Sequence, residues 1–174
     1  MELTGKRILF ADLDGTLIKT ASGKTFAEDC TDFRIRKDVL DKITTMPGLE
    51  YLAIVTNQGG VPQYISRHDL EAKIKGIIEF IRSYIAQNPF NPEEVLKISA
   101  EYCISMDKNH PRRKPNTGML ENFLDFSNNK ETDKSVMLMI GDASGKEGQF
   151  SDSDKKCAEN FGIDYLDVED FLNA

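Results

Sequence analysis

Two aspartates lie one residue apart directly after an apolar run near the start of the sequence. The run at 8–11 (ILFA) is followed by Asp12 and Asp14, and then by Gly15 and Thr16. Two carboxylates this close at the end of a buried strand repel each other unless a cation lies between them or one carries a proton. The spacing therefore indicates a metal site or acid–base chemistry. The alternative for an isolated Asp-x-Asp-Gly is a surface turn in which the glycine supplies an unusual backbone angle.

The elements that would position these residues alternate along the chain. Short segments rich in apolar and β-branched residues are predicted to be strands at 6–12, 49–57, 95–105 and 135–142. Each is followed by a segment with the apolar spacing of a helix, at 37–46, 69–86, 116–127 and 154–161. A weak strand at 163–167 and a helical turn at 168–174 close the chain. This alternation predicts a three-layer, Rossmann-like α/β fold in which helices cover both faces of a parallel sheet.

Polar side chains follow the predicted strands at the end where ligands bind in sheets of this kind. They are Asp12 and Asp14 after the first strand, Thr56 and Asn57 after the second, Lys114 in the loop after the third, and Asp142 after the fourth. Carboxylate and carbonyl oxygens suit a hard cation such as Mg²⁺, while lysine, hydroxyl and backbone N–H groups suit phosphate. We therefore expect a magnesium and phosphate site at this edge of the sheet.

Composition limits the class of protein. The 174 residues, 40% hydrophobic and 29% charged, suffice for one core, so a single domain over 1–174 is expected. No apolar stretch has the length of a membrane span or a secretory signal, which predicts a soluble, cytoplasmic protein without membrane contact. The cysteines, Cys30, Cys103 and Cys157, lack a Cys-x-x-Cys spacing, which argues against a disulfide framework. A net charge of −7 means that a nucleic-acid partner would need a local basic patch.

The motifs, taken in their order, resemble those of haloacid dehalogenase-like (HAD) phosphohydrolases. They are DLDGT at 12–16, VTNQ at 55–58, the lysine before a helix, and GDASG at 141–145. With TDFRI at 31–35, RRKPNTGM at 112–119 and the stretch at 141–163, the chain is similar to the 3′-phosphatase domain of polynucleotide kinase/phosphatase proteins. The resemblance implies an HAD fold without a sizeable cap domain and a Mg²⁺-dependent phosphomonoesterase.

The resemblance also implies roles for the acidic residues. Asp12 matches the nucleophile that becomes an aspartyl phosphate, and Asp14 matches the general acid and base. Asp142 matches the Mg²⁺ ligand, which it would share with Asp12 and with the backbone carbonyl of Asp14. For Asp154, at the start of a predicted helix, two roles stay open: a direct metal ligand or a residue that supports one.

Thr56 and the N–H of Asn57 match the phosphate contacts of the family, and Lys114 matches the cation that offsets the charge of nucleophile and phosphoryl group. Ordinary structural roles are the alternatives. Thr56 taken alone would be a helix cap. Lys114 could be one solvated charge in a basic loop.

A basic patch is expected around the site. The side chains predicted to form it are Lys19, Lys24, Lys108, Arg112 and Arg113. We take Lys24, Arg112 and Arg113 as the candidates for substrate binding, with Phe26 or Phe33 available to stack a base. The alternative is that these charges are solvated and the aromatic rings belong to the core. A phosphorylated substrate, a 3′-phosphate at a nucleic-acid end, is the expected partner.

Two other functions stay open. The first is a small-metabolite phosphatase of the histidinol-phosphate or heptose-bisphosphate type, whose relatives often carry a Cys/His zinc loop. Here that region offers only Cys103 and His110, and two ligands do not close a tetrahedral zinc site, although zinc-free members keep this alternative open. The second is a non-catalytic HAD module that binds a phosphorylated partner. The presence of both Asp12 and Asp14 favours an enzyme.

Overall fold

A computed structural model describes residues 3–24, 27–87 and 95–174 of the chain. The strands in these ranges are β1 (Ile8–Ala11), β2 (Ile18–Lys19), β3 (Arg34–Ile35), β4 (Tyr51–Asn57), β5 (Lys97–Cys103), β6 (Met137–Gly141) and β7 (Asp164–Asp167). The helices are α1 (Lys37–Thr44), α2 (Arg67–Gln87), α3 (Gly118–Phe126), α4 (Ser153–Phe161) and α5 (Val168–Leu172), with a 3₁₀ turn at Lys134–Val136.

Five parallel strands form the central sheet in the order β5-β4-β1-β6-β7. β1 lies in the middle and is buried along its whole length, which explains its uninterrupted apolar sequence. Ala11 at its end is in register with Ile54 of β4 and Ile140 of β6. The carboxyl ends of these three strands therefore lie side by side, and the residues that follow them meet at one edge.

Each face of the sheet has its own hydrophobic core, because neighbouring side chains of a strand point to opposite faces. Leu9 and Ala11 pack in the cluster formed with α1, α2 and α5. Ile8 and Phe10 pack in the second cluster, with α3 and α4. The Phe10 ring makes edge contacts with Phe123, with ring centres 5.3 Å apart. The result is the three-layer α/β arrangement that the sequence predicted.

The predicted elements are confirmed with small shifts at their ends, but two short strands, β2 and β3, were missed. β2 and β3 pair in an antiparallel hairpin with Ile18 opposite Ile35, and strands of two residues are too short for a periodic pattern. The hairpin lies next to the acidic loop, since Gly15 N–H donates to the carbonyl of Ile18 at 2.8 Å. Across the described ranges, no segment outside the sheet and its helices is large enough for a folded cap. None of the helices described there is both long and apolar enough to cross a membrane.

Candidate active site

Four charged side chains meet at the carboxyl end of the sheet. Asp12 follows β1, Asp142 follows β6, Asp154 lies in the first turn of α4, and Lys114 precedes α3. The three aspartates each offer an oxygen within 4.8 Å of the others. The ammonium of Lys114 donates to Oδ1 of Asp12 at 2.6 Å and to Oδ1 of Asp154 at 2.7 Å, and a third bond goes to the carbonyl of Val55 at 2.8 Å. The structure thus brings together the acidic residues and the lysine predicted from three separate motifs.

Three side chains of this cluster are buried, Asp142 is partly buried, and the three carboxyl groups share one ammonium. Asp12, Lys114 and Asp154 are exposed to 7%, 3% and 1%. Burial raises the pKa of Asp12 well above its usual range; Lys114 opposes the shift, while Asp154 and Asp142 add to it. Burial, with the charge of Asp154, also raises the pKa of Asp142 to about 6. Burial alone would lower the pKa of Lys114, but the charges of Asp12 and Asp154 outweigh this effect. The pKa of Lys114 is therefore raised, and the lysine stays charged.

Two glycines allow the carboxylates to approach the backbone. Gly15 has a φ of 89°, and a Cβ there would lie 1.9 Å from Oδ2 of Asp142. A Cβ at Gly141 would lie 2.3 Å from Oδ2 of Asp154. Since both separations are far inside van der Waals contact, a side chain at either position would displace a carboxylate of the cluster. The glycines of the Asp-x-Asp-Gly and Gly-Asp motifs are therefore required by the packing of the site.

Asp14 lies at the entrance of the site, outside the buried cluster. Its side chain is 52% exposed, in contrast to that of Asp12. The side-chain amide of Gln58 donates to Oδ2 of Asp14 at 2.6 Å and to Oγ1 of Thr56 at 2.9 Å. The ammonium of Lys73, on α2, is 3.6 Å from Oδ1 of Asp14. Because the Thr56 hydroxyl accepts from Gln58, its own proton is left to donate towards a ligand.

Asn57 contacts the lysine loop through its side chain. Its Nδ2 donates to the carbonyl of Lys114 at 3.0 Å, and its Oδ1 accepts from the N–H of Lys114 at 3.0 Å. These reciprocal bonds fix the backbone that carries the lysine. The phosphate contact predicted for the N–H of Asn57 stays a prediction.

Sequence reasoning missed Gln58 and Lys73. Gln58 follows the predicted phosphate-binding pair directly, so its position next to that pair was a usable signal. Lys73 lies on the apolar face of α2, with Leu70 and Ile77 spaced three and four residues away. A lysine on the buried face of an amphipathic helix is unusual because its charge must find a partner. That irregularity in the pattern could have identified it.

The basic side chains predicted to bind substrate are not equally available. Lys24 pairs with Glu28, and Nη2 of Arg112 donates to Glu101 at 2.5 Å. Nη1 of Arg113 donates to the carbonyl of Ser105 at 2.7 Å. That same nitrogen would lie 3.3 Å from a Cβ at position 59, which places Arg113 beside the loop that follows β4.

The structure describes one of the two aromatic candidates for base stacking. Phe26 lies outside the described residues. Phe33 is partly buried against the core, and the ammonium of Lys73 is 5.6 Å from its ring centre, so one face of the ring is covered. For Phe33 the core alternative is therefore the better interpretation.

Cys103 and His110 lie together, with Sγ and Nδ1 3.5 Å apart. In the part of the chain that the structure describes, the three-aspartate cluster is the sole group of three or more side chains placed to hold a metal ion. A closed tetrahedral zinc site takes four protein ligands, and Cys103 with His110 supplies two.

Comparison with protein families matches residues 7–172 to the model described as polynucleotide kinase 3 phosphatase. A bifunctional polynucleotide phosphatase/kinase of Schizosaccharomyces pombe is 36% identical over an alignment of 170 residues that covers 96% of this chain. The chain spans 38% of the length of that relative. An uncharacterised 20.8 kDa protein of Autographa californica nuclear polyhedrosis virus is 26% identical over 175 residues, covering 95% of this chain and 85% of the viral protein.

Solved structures share the fold. An HAD-like phosphatase from Mesorhizobium loti superposes with a TM-score of 0.62 at 21% identity, over 98% of this chain and 86% of that chain. D,D-heptose 1,7-bisphosphate phosphatase from B. bronchiseptica, in complex with magnesium and phosphate, gives a TM-score of 0.60 at 16% identity, over 96% of both chains. These likenesses confirm the predicted HAD fold.

Proposed function

The chain belongs to the polynucleotide kinase 3 phosphatase family and is a phosphoric monoester hydrolase of the HAD type, and from this premise we propose a mechanism and a substrate. We propose that it hydrolyses phosphomonoesters with Mg²⁺ as cofactor, through an aspartyl phosphate formed on Asp12. The observation that carries the mechanism is the pairing of Asp12 with Lys114 inside a cluster of three carboxylates. A buried carboxylate held by a lysine is oriented for attack, and three ionised carboxylates beside one ammonium favour the binding of a further cation.

The donor set fits magnesium. Mg²⁺ prefers carboxylate and carbonyl oxygens and keeps several waters. Asp12, Asp142 and the backbone carbonyl of Asp14 would hold the ion. Oδ1 of Asp154 accepts from Lys114 and its Oδ2 accepts from the N–H of Ala143 at 3.2 Å, so we assign Asp154 to holding the lysine. When bound, the ion neutralises charge on the nucleophile and on the phosphoryl oxygens.

In the first step, Oδ2 of Asp12 attacks phosphorus while Lys114 holds Oδ1. A bond forms between Oδ2 and phosphorus as the bond from phosphorus to the leaving oxygen breaks. Asp14 gives a proton to that leaving oxygen, which departs as the alcohol. Lys114 and the hydroxyl of Thr56 offset the charge on the phosphoryl oxygens.

The second step regenerates the enzyme. Asp14, now a carboxylate, takes a proton from water as the water oxygen attacks the phosphorus of the aspartyl phosphate. The bond between phosphorus and Asp12 breaks, and inorganic phosphate leaves. The exposure of Asp14 suits this role, because water reaches its side chain whereas Asp12 is buried.

We propose that the substrate is a 3′-phosphate at a nucleic-acid end. The support is family membership, the polynucleotide phosphatase activity for which the S. pombe relative is named, and a site edge without a large cap in the described ranges. Arg113 lies beside the loop after β4, and its guanidinium would bind the phosphate next to the scissile one in a nucleic-acid strand. The pairing of Lys24 and Arg112 with glutamates favours the alternative, a phosphatase for small metabolites, because it weakens the basic patch.

A substrate panel tests this assignment. The chain would be assayed with Mg²⁺ against 3′-phosphorylated and 5′-phosphorylated oligonucleotides, histidinol phosphate and a heptose bisphosphate. We expect the highest kcat/KM for the 3′-phosphorylated strand, with Asp12→Asn as the inactive control. A higher kcat/KM for either metabolite would overturn the substrate and leave the mechanism standing.

A further inference from the structure

Lys73 is a buried lysine on the face of α2 that packs against the sheet. It is exposed to 8%, and its neighbours on this face include Leu70, Ile74 and Ile77. Burying an ammonium among apolar side chains is costly unless a charge or a polar group compensates it. The position of Lys73 in the core therefore calls for a partner at the end of its side chain.

The groups at that end all lie at the entrance of the site. The ammonium is 3.6 Å from Oδ1 of Asp14 and 5.6 Å from the ring centre of Phe33. In the described ranges it has no hydrogen-bond acceptor, so the carboxylate and the ring are what its charge meets. The negative face of an aromatic ring attracts a cation, and this attraction helps to hold the ammonium in place beside Asp14.

Asp14 is contacted from two sides. Gln58, in the loop after β4, donates to Oδ2 at 2.6 Å, while Lys73 approaches Oδ1 from α2. We propose that Lys73 is a positioning residue that, together with Gln58, holds the Asp14 carboxylate in the orientation needed for proton transfer to the leaving group. This proposal rests on the acid–base role proposed above for Asp14.

Asp14 needs neighbours that hold its carboxylate because its side chain is half-exposed. A side chain that is 52% exposed can rotate unless neighbours hold it, and proton transfer requires hydrogen-bond reach in the transition state. At 3.6 Å the ammonium attracts the carboxylate by charge without a hydrogen bond to Oδ1. Oδ1 therefore stays able to give and take the proton.

The test compares two leaving groups. Lys73→Met removes the charge and keeps an unbranched stem in the core. The quantity compared is the rate of leaving-group release in the first turnover, because the second step needs Asp14 as a base with either substrate. Against a 3′-phosphorylated dinucleotide, whose alkoxide needs a proton, this rate should fall by roughly 10- to 100-fold with little change in KM. Against p-nitrophenyl phosphate, whose leaving group needs little protonation, the loss of this rate should stay below about 3-fold.

Matched variants separate positioning from a general effect. Lys75→Met removes an exposed lysine of the same helix and should leave both substrates unaffected. Asp14→Asn should show the same leaving-group pattern as Lys73→Met, and adding Lys73→Met to it should cause no further loss on the dinucleotide. Thermal melts exclude unfolding, and Lys73→Gln, which is uncharged but polar, replaces the methionine variant if that one does not fold.

The outcomes distinguish the two proposals. Equal losses on both substrates for Lys73→Met, or losses that add in the Asp14→Asn background, would overturn the positioning role. A rise in KM on the dinucleotide alone would also overturn it, because it would make Lys73 a substrate contact. Equal losses of the first-turnover rate on both substrates for Asp14→Asn would instead overturn the acid role on which the inference depends.

Discussion

The two halves of the site hold their acidic side chains by different means. In the interior, Asp12 and Asp154 are buried and each is hydrogen-bonded to Lys114. At the entrance, Asp14 is half-exposed and lies between an amide hydrogen bond and the more distant charge of Lys73. Charge pairing therefore fixes the groups that would act on phosphorus. The group that would act on the leaving oxygen is held more loosely, where substrates of different shape arrive.

The largest effect should come from the nucleophile in the interior. Asp12→Asn keeps the shape of the side chain but removes its nucleophilicity, so kcat should fall by roughly four orders of magnitude or more. Steady-state assays on a 3′-phosphorylated oligonucleotide measure the loss, and a thermal melt verifies the fold. Substantial activity in a variant with an unchanged melt would remove Asp12 from the mechanism.

The buried lysines of the two halves, Lys114 and Lys73, provide a direct test of the contrast between them. Lys114→Met leaves buried carboxylates without their cation and should lower the free energy of unfolding by about 3–5 kcal/mol. Lys73→Met leaves only a half-exposed carboxylate and should change it by about 1 kcal/mol or less. Urea denaturation without Mg²⁺ at neutral pH measures both values. Equal losses of unfolding free energy in the two variants would mean that the interior and the entrance depend equally on their lysines.

Protons and Mg²⁺ should compete in the interior half. The pKa values of Asp12 and Asp142 are raised, that of Asp142 to about 6, so these two groups contribute stability to the metal-free fold at low pH. The contribution of Asp142 is lost as pH rises through about 6. Mg²⁺ binds the deprotonated carboxylates, so it should raise Tm more at pH 7.5 than at pH 5.

Scanning fluorimetry with and without Mg²⁺ at both pH values measures this difference. Asp142→Ala should reduce the gain in Tm at pH 7.5. A gain that is the same at both pH values and in the variant would show that the ion binds elsewhere.

The smallest effect should appear at the rim beyond the entrance. For a short 3′-phosphorylated strand, kcat/KM should fall with salt along a slope of roughly one to three phosphate contacts. Arg113→Ala should reduce the slope by about one contact, and Arg112→Ala by less, because Arg112 is paired with Glu101. An equal slope for p-nitrophenyl phosphate would mean that the rim makes no contact with the strand.

The interior half was predictable from the sequence, whereas much of the entrance was not. Asp12 and Asp142 directly follow apolar strands, so a pattern local in the chain places them at one edge. The contacts of Lys114 with Asp12 join residues far apart in sequence, and only the family resemblance selected this lysine.

The missed features depend on tertiary contacts. Lys73 reaches Asp14 only because α2 packs over the end of the sheet, and helical periodicity does not encode that placement. The contact of the Asn57 side chain with the backbone of Lys114 likewise joins two loops. The β2–β3 hairpin has two residues in each strand, too few for an alternating pattern to be recognised.

The aspartyl phosphate proposed on Asp12 should be trapped in the Asp14→Asn variant with p-nitrophenyl phosphate and Mg²⁺. This leaving group departs without a proton, but the second step lacks its base, so the intermediate should accumulate. We predict a burst of one nitrophenolate per enzyme and the mass of one phosphoryl group on the peptide that contains Asp12. Nitrophenolate release without a burst and without a phosphorylated peptide, or a phosphoryl group on another residue, would contradict the account.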